Sequence, residues 1–235
     1  MIKTKLKVIT LMIAVAIAST TVALMAVMGA SSTFAMTPEQ TRVIKDTKGS
    51  ELTQAALFHY NGKNKSDWAA AYELAHNAIR LDNNDLVAHR LLGNMYYQGK
   101  GTKVNYDDAL YHYEEAAAGD AISAYMVGKM YLSGLGVDLD VVEGAKYVKQ
   151  AADMGEPVAQ YELAQLSLDQ SRVEQNPTLK MNLEKSSYHY ASQCIKVKMP
   201  ECIEILGQIV EQGLAGVDAS PEKAKSIYQI AQGLK

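Results

Sequence analysis

The chain has 235 residues, of which 48% are hydrophobic, and its formal net charge at pH 7 is −3. This length suits one compact domain or one array of repeats. A mildly acidic chain is a poor candidate for nucleic-acid binding, because that affinity comes mainly from the neutralisation of phosphates by Lys and Arg. We therefore expect no nucleic-acid partner.

The first 35 residues have the order of a secretory signal peptide. Three lysines lie among the first seven residues, an apolar run extends from Val8 to Ala30, and small residues occupy positions 33 and 35. This order predicts cleavage after Ala35 and a periplasmic or secreted protein with no membrane span after cleavage. The alternative is an uncleaved N-terminal membrane anchor, because the apolar run is long enough to cross a bilayer. Cleavage leaves 200 residues with 20 basic and 26 acidic side chains, a formal charge of −6.

A repeat domain is predicted to follow. Residues 36–49 are polar and are predicted to be loosely ordered, and the repeat domain is predicted to cover residues 50–235. The pattern of residues 88–101 recurs 35 residues later at 123–136, and a second helical pattern, 109–117, recurs at 144–152. Each unit therefore reads as a helix, a glycine-rich turn and a second helix.

The glycines of the repeat have two predicted roles. Gly93 and Gly128 fall inside the first helix of their units, where a glycine costs about 1 kcal/mol relative to alanine. We therefore predict that the partner helix crosses closely at these positions. Gly99 and Gly134 follow the end of the first helix, where a helix C-cap requires a positive φ.

Five units are predicted, and two of them depart from the pattern. The unit at 157–198 has no Gly-x-Gly turn, and it carries about eight inserted residues, because Leu163 and its equivalent Leu206 are 43 positions apart. The opening pair, at the start of the domain, is more divergent. The predicted units are about 50–84, 86–119, 121–155, 157–198 and 200–233.

The motif Leu92-Gly93-x-x-Tyr96-x-x-Gly99-x-Gly101, followed by Ala109 and Ala116-Ala117, resembles the Sel-one-like repeat (SLR). This repeat is a relative of the tetratricopeptide repeat (TPR), and the resemblance covers roughly residues 50–233. It implies an all-α fold, a right-handed α-solenoid of helix-turn-helix units. It also implies that the first helices line a concave face on which a protein partner binds.

The two cysteines are eight positions apart, and the resemblance gives them a meaning. Secreted cysteine-rich members of the SLR family join helix pairs by disulfides at this spacing, which implies a bond between Cys194 and Cys202. An exported protein meets an oxidising compartment, where such a bond persists. Two free, buried thiols are the alternative.

The resemblance also implies which side chains face a partner. The inward positions of each first helix in TPR geometry map onto mixed and aromatic residues at the start of the array and acidic residues at its end. The predicted partner-binding residues are Arg90, Asn94, Tyr97, Gln98, Tyr125, Lys129, Leu132, Tyr161, Gln165, Glu204 and Gln208.

Motifs for catalysis or metal binding are not evident. No His-x-x-x-His or His-Glu-x-x-His pattern includes any of the five histidines, which we predict to be solvated or partly buried helix residues. No Gly-x-Ser-x-Gly nucleophile motif occurs. Gly99-Lys100-Gly101-Thr102 lacks the earlier glycine and the preceding strand of a phosphate-binding loop. We therefore expect no enzyme, no catalytic residue, no metal site and no cofactor.

These observations favour a periplasmic or secreted protein–protein interaction scaffold that is a monomer before it binds its partner. An immunity or inhibitor protein that neutralises a secreted toxic effector is a more specific alternative. A cell-wall glycan binder, or an enzyme active on β-lactams, is an alternative of a different class.

Overall fold

The computed structural model describes residues 38–234, with side chains from residue 48 onward, and the predicted signal peptide lies outside this part of the chain. Residues 43–235 make up one compact unit. Of the other unit only residues 38–42 are described, and they are helical. The described residues form ten α-helices and no strand: α1 (Pro38–Tyr60), α2 (Lys65–Leu81), α3 (Leu86–Gln98), α4 (Tyr106–Ala117), α5 (Ala121–Ser133), α6 (Val141–Asp153), α7 (Pro157–Val173), α8 (Pro177–Cys194), α9 (Pro200–Gln212) and α10 (Pro221–Gln232).

The helices pack as consecutive pairs, which confirms the predicted all-α repeat fold. The pairs are α3 with α4, α5 with α6, α7 with α8, and α9 with α10, and each pair also contacts the next along the chain. Helix α2 packs against α3 at the start of this array. A short 3-10 helix, Ile195–Val197, lies between α8 and α9.

Local side chains determine where these helices begin and end. Asp85 accepts hydrogen bonds from Val87 N and Ala88 N at the start of α3, and Asp140 does the same for the first turn of α6. Each satisfies backbone N–H groups that have no partner inside the helix. At the other end, Gly99 has φ 69°, in the left-handed conformation. The predicted C-cap role of this glycine is confirmed.

The glycines inside the first helices allow the two helices of a pair to cross closely. A Cβ on Gly93 would lie 2.7 Å from the Tyr113 ring, and a Cβ on Gly128 would lie 2.8 Å from Val148 Cγ2. Gly207 stands in the same relation to the ring of Tyr228. The predicted packing reason for Gly93 and Gly128 is confirmed, because no side chain fits between the two helices at these positions.

Turn glycines also connect successive units. A Cβ on Gly101 would collide with the Trp68 carbonyl oxygen at the start of α2, and a Cβ on Gly136 would lie 2.5 Å from the Tyr106 carbonyl oxygen at the start of α4. In these two turns the second glycine thus allows the turn to pack on the backbone of the preceding unit. This contact repeats with the sequence period, because Gly101 and Gly136 are 35 residues apart.

The divergent unit accommodates its insertion by longer helices. Helices α7 and α8 have 17 and 18 residues, whereas α5 and α6 have 13 each. Asn176 caps α8 and Pro177 is its first residue, where the missing N–H of proline costs no helical bond. The buried carboxylate of Glu184 on α8 accepts a hydrogen bond of 3.0 Å from Ala215 N, which lies in the turn between α9 and α10. This hydrogen bond links the divergent unit to the last unit.

The structure differs from the prediction for residues 36–49. Helix α1 begins at Pro38, so the segment that was expected to be loosely ordered is helical from that residue onward. Proline suits the first position of a helix, and the residues after it include several good helix formers, among them Glu39, Gln40 and Arg42. The prediction relied on the polar composition of this segment and did not take the helical propensity of its residues into account.

Candidate binding face on the first helices

The predicted partner-binding residues lie on α3, α5, α7 and α9, the first helices of four successive units. We call the surface that these eleven residues define the first-helix face. Its members divide into those that link neighbouring first helices, those that pack inside their own unit, and those that extend into solvent.

Polar side chains link each first helix to the next along the array. Arg90 Nε on α3 lies 3.2 Å from Asp120 Oδ2, and Asp120 caps the start of α5. Arg172 on α7 donates a hydrogen bond of 2.8 Å to Gln208 Oε1 on α9. Residues about 30 to 36 positions apart in the sequence are therefore direct neighbours, and the first helices lie side by side.

The centre of the face is a three-residue cluster that joins α5 to α7. Tyr125 donates a hydrogen bond of 2.8 Å to Glu162 Oε1, and Lys129 Nζ lies 3.2 Å from the same oxygen. Burial and, after it, the hydrogen bond to Glu162 raise the pKa of Tyr125 above its ordinary value. The tyrosine therefore stays neutral and keeps its proton for the carboxylate, while the Lys129 side chain remains 42% exposed and accessible to a partner. Glu162 was not among the predicted residues.

Four of the predicted partner-binding residues pack against other side chains of this protein. Tyr97 makes an edge-to-face contact with Tyr106, with ring centroids 5.5 Å apart, and Asn94 accepts a hydrogen bond of 2.7 Å from Tyr113. Leu132 covers Gly144 of its own unit. Tyr161 is half-buried against the main hydrophobic core.

The remaining predicted residues are polar and reach solvent to different degrees. Gln98 is exposed, and its Oε1 accepts a hydrogen bond of 3.2 Å from Tyr60. Gln165 donates to Asp169 one turn further along α7. Glu204 is half-buried on α9. The accessible part of the first-helix face is therefore a mixture of amide and charged side chains, whereas the rings of Tyr97, Tyr125 and Tyr161 are partly buried.

The structure also brings together a cluster that the sequence did not predict. His76 on α2, His89 on α3 and His112 on α4 lie among the rings of Tyr72 and Tyr96, and we call these five residues the His–Tyr cluster. The prediction of solvated or partly buried histidines is wrong for two of them, since His89 is 1% exposed and His112 is 5% exposed. The sequence contained one signal for the burial of His112. This residue lies three positions after Ala109 and four before Ala116, so it shares the helix face of these two buried alanines.

Burial shifts the pKa of two histidines of the His–Tyr cluster, and a hydrogen bond orients the third. His89 Nε2 lies 3.1 Å from the carbonyl oxygen of Asn83, which accepts, so that nitrogen carries the proton. Burial, and then the neighbouring His89 and His76, lower the pKa of His112 to about 4. Burial also lowers the pKa of His76. Within residues 48–234 no group of three or more His, Cys, Asp or Glu side chains is arranged to hold a metal ion.

The two cysteines lie at the junction of α8 and α9. The Sγ atoms of Cys194 and Cys202 are at bonding distance, the Cα atoms are 6.1 Å apart, and both side chains are fully buried. This Cα separation falls within the range that disulfides span. None of the helices between residues 38 and 234 is both long enough and apolar enough to cross a membrane.

The repeats match a known family. The sequence model of the Sel1 repeat matches residues 86–120, 121–156, 157–179 and 200–231. An uncharacterized protein of Neisseria meningitidis serogroup B is 33% identical over 144 residues, which are 61% of this chain and 28% of that protein. This chain therefore spans little more than a quarter of the length of that relative.

Two solved structures are similar in fold. A Sel1 repeat protein from Oxalobacter formigenes superposes with a TM-score of 0.60 at 20% identity, over 80% of this chain and 68% of that one. The second is c5321, a protective antigen of uropathogenic Escherichia coli strains that displays an SLR fold. It superposes with a TM-score of 0.56 at 20% identity, over 83% of this chain and 40% of that one.

Proposed function

Because this chain belongs to the Sel1 repeat family, whose members are in general non-catalytic protein–protein interaction scaffolds, we propose that it is an exported scaffold that binds a protein partner on its first-helix face. Fold alone does not determine function, so the proposal depends on the side chains of that face.

The observation that carries the proposal is the row of polar links between successive first helices. The Tyr125–Lys129–Glu162 cluster and the Arg172–Gln208 pair hold adjacent helices in register and present partly exposed amides and charges along one surface. A rigid row of this kind costs little side-chain entropy when a partner is bound. Preorganised charges also favour the choice of one partner over another.

Two observations support the proposed export, one in the sequence and one in the structure. The order of basic, apolar and small residues in positions 1–35 is that of a signal peptide. The pair Cys194 and Cys202 is buried at bonding distance, which suits a compartment where disulfides persist. We therefore propose that the mature protein works in the periplasm or outside the cell.

Site-specific photocrosslinking in native host cells tests the binding face. A photoreactive amino acid is placed at Gln98 or Ile122, which are exposed on first helices, and at Tyr111 or Val142 as matched exposed positions on second helices. We expect one dominant crosslinked protein from the first pair and none from the second. Equal capture at both pairs would place the interface elsewhere, and no captured protein would contradict the scaffold.

Cell fractionation tests the export. The tagged protein is expected in the periplasm or the medium, with an N-terminus at residue 36 in Edman sequencing. Deletion of residues 1–35 should retain it in the cytoplasm. A membrane-bound protein with an intact N-terminus would instead establish the anchor.

A further inference from the structure

A cleft of about 660 Å³ lies between the start of α2 and the turn that joins α3 to α4. Lys65 and Trp68 line it from α2, and Gly101 and Lys103 line it from the turn. Gly101 lies against the Trp68 backbone, and Trp68 Nε1 donates a hydrogen bond of 2.9 Å to Gly62 O. The walls of the cleft are therefore fixed by the close approach of Gly101 to the Trp68 backbone and by the hydrogen bond of the Trp68 side chain.

Two lysines, Lys65 and Lys103, line this cleft, and a third, Lys100, lies over the ring of Trp68. Lys100 Nζ lies 4.5 Å from the centroid of the Tyr60 ring and 5.6 Å from that of Trp68. Within the part of the chain whose side chains are described, no carboxylate lies at ion-pair distance from Lys65, Lys100 or Lys103. The cleft therefore offers ammonium groups and an aromatic wall at the same place.

The electrostatics of this end of the molecule favour an anionic occupant. Residues 48–104 contain seven Lys and Arg against five Asp and Glu, whereas residues 105–235 contain eleven against nineteen. The positive charge is therefore local, on a chain that is acidic elsewhere.

We propose that this cleft binds an acidic, extended segment of the partner protein, with carboxylates at the lysines and aliphatic carbon atoms against Trp68. The inference rests on the proposed scaffold function and adds the chemistry of the partner. An extended segment fits better than a small anion, because the cleft of about 660 Å³ is larger than one small anion and is lined by lysines of two separate elements.

Trp68 is the only tryptophan of the chain, so its fluorescence reports on this cleft alone. Purified protein is titrated with a glutamate-rich octapeptide and, as a matched control, with the same peptide in which glutamine replaces every glutamate. We expect a saturable change with the first peptide, weaker binding at higher salt, and no change with the second.

Charge-removing variants test the lysines. The double variant Lys65→Gln/Lys103→Gln should bind the acidic peptide about fivefold more weakly, since exposed ion pairs contribute modestly. Lys225→Gln removes an exposed lysine on α10 and should change nothing. Circular dichroism confirms that each variant is folded.

Three results would overturn the proposal. They are no saturable response, an unchanged affinity of the double variant, or equally tight binding of inorganic phosphate or of phosphatidylglycerol vesicles. The peptide titration needs no cellular partner, so its failure is distinct from a failure of photocrosslinking on the first-helix face.

Discussion

The Nδ1 atoms of His89 and His112 lie 3.1 Å apart between α3 and α4, in a part of the core where both rings are buried. His89 Nε2 donates to Asn83 O, so in a neutral His89 ring Nδ1 is the acceptor, and the shared hydrogen bond then uses the proton on His112 Nδ1. The pair is satisfied when both rings are neutral. A charge on His112 would be buried beside a second imidazole.

This arrangement predicts a loss of stability in mild acid. An unfolded histidine binds a proton below about pH 6.5, whereas burial lowers the pKa of His112 in the folded protein to about 4. The unfolded state therefore binds more protons between these values, and the contribution of His112 is complete above pH 6.5 and falls as the pH falls towards 4. The loss should be about 2–3 kcal/mol.

Urea unfolding at several pH values measures this effect. His112→Asn keeps a donor towards His89 but does not titrate, so its free energy of unfolding should fall less steeply between pH 6.5 and 4 than that of the unchanged protein. His189→Asn, at an exposed position on α8, should leave the slope unchanged. Parallel curves for all three proteins would contradict the assignment.

Glycine-to-alanine substitutions in two different helices should change the free energy of unfolding in opposite directions. Gly93→Ala places a methyl group 2.7 Å from the buried ring of Tyr113, so we expect it to destabilise the protein by about 1–3 kcal/mol. Gly49→Ala in α1 meets only ordinary contacts, with Asp82 Cβ at 3.5 Å, and should stabilise by about 0.5–1 kcal/mol. Thermal unfolding followed by circular dichroism compares the two, and a stabilised Gly93→Ala would contradict the close crossing of α3 and α4.

The cysteine pair should behave as a structural disulfide. The protein purified from the periplasm should show no free thiol when it is denatured and titrated with a thiol reagent. Loss of the bond in Cys202→Ala, or by reduction, should lower the free energy of unfolding by about 2–3 kcal/mol on the loop-entropy model for a small loop. Two titratable thiols per chain would establish the alternative of free, buried cysteines.

Glu184 should stabilise the last helix pair. Its buried carboxylate accepts from Ala215 N, a residue with φ 59° in the turn between α9 and α10. Glu184→Ala leaves that N–H without its partner and should cost about 1–3 kcal/mol, with faster hydrogen exchange in α9 and α10. Lys185→Ala, at the exposed neighbouring position, is the matched control. Similar hydrogen-exchange rates in both variants would show that the turn between α9 and α10 does not depend on Glu184.

Much of the fold could be predicted from local signals. Gly99 marks the end of α3, because a helix C-cap requires a positive φ at one position. The role of Gly93 followed from its cost inside a helix, which requires a compensating close contact. The binding face was harder to predict, because Leu132 and Tyr97 occupy positions that TPR geometry directs to a partner and yet pack inside their own units.

The amino-acid sequence by itself determined the repeat period, the helix pairs and the glycines at which helices and turns approach closely. These features depend on residues within one turn or one unit of each other, where periodicity, capping and backbone freedom act. Only the tertiary structure decided that Tyr125 meets Glu162, that His89 meets His112, and that Glu184 reaches the turn at Ala215. Such contacts depend on the distance and rotation between helices that are far apart in the chain, and these are set by the packing of the whole array.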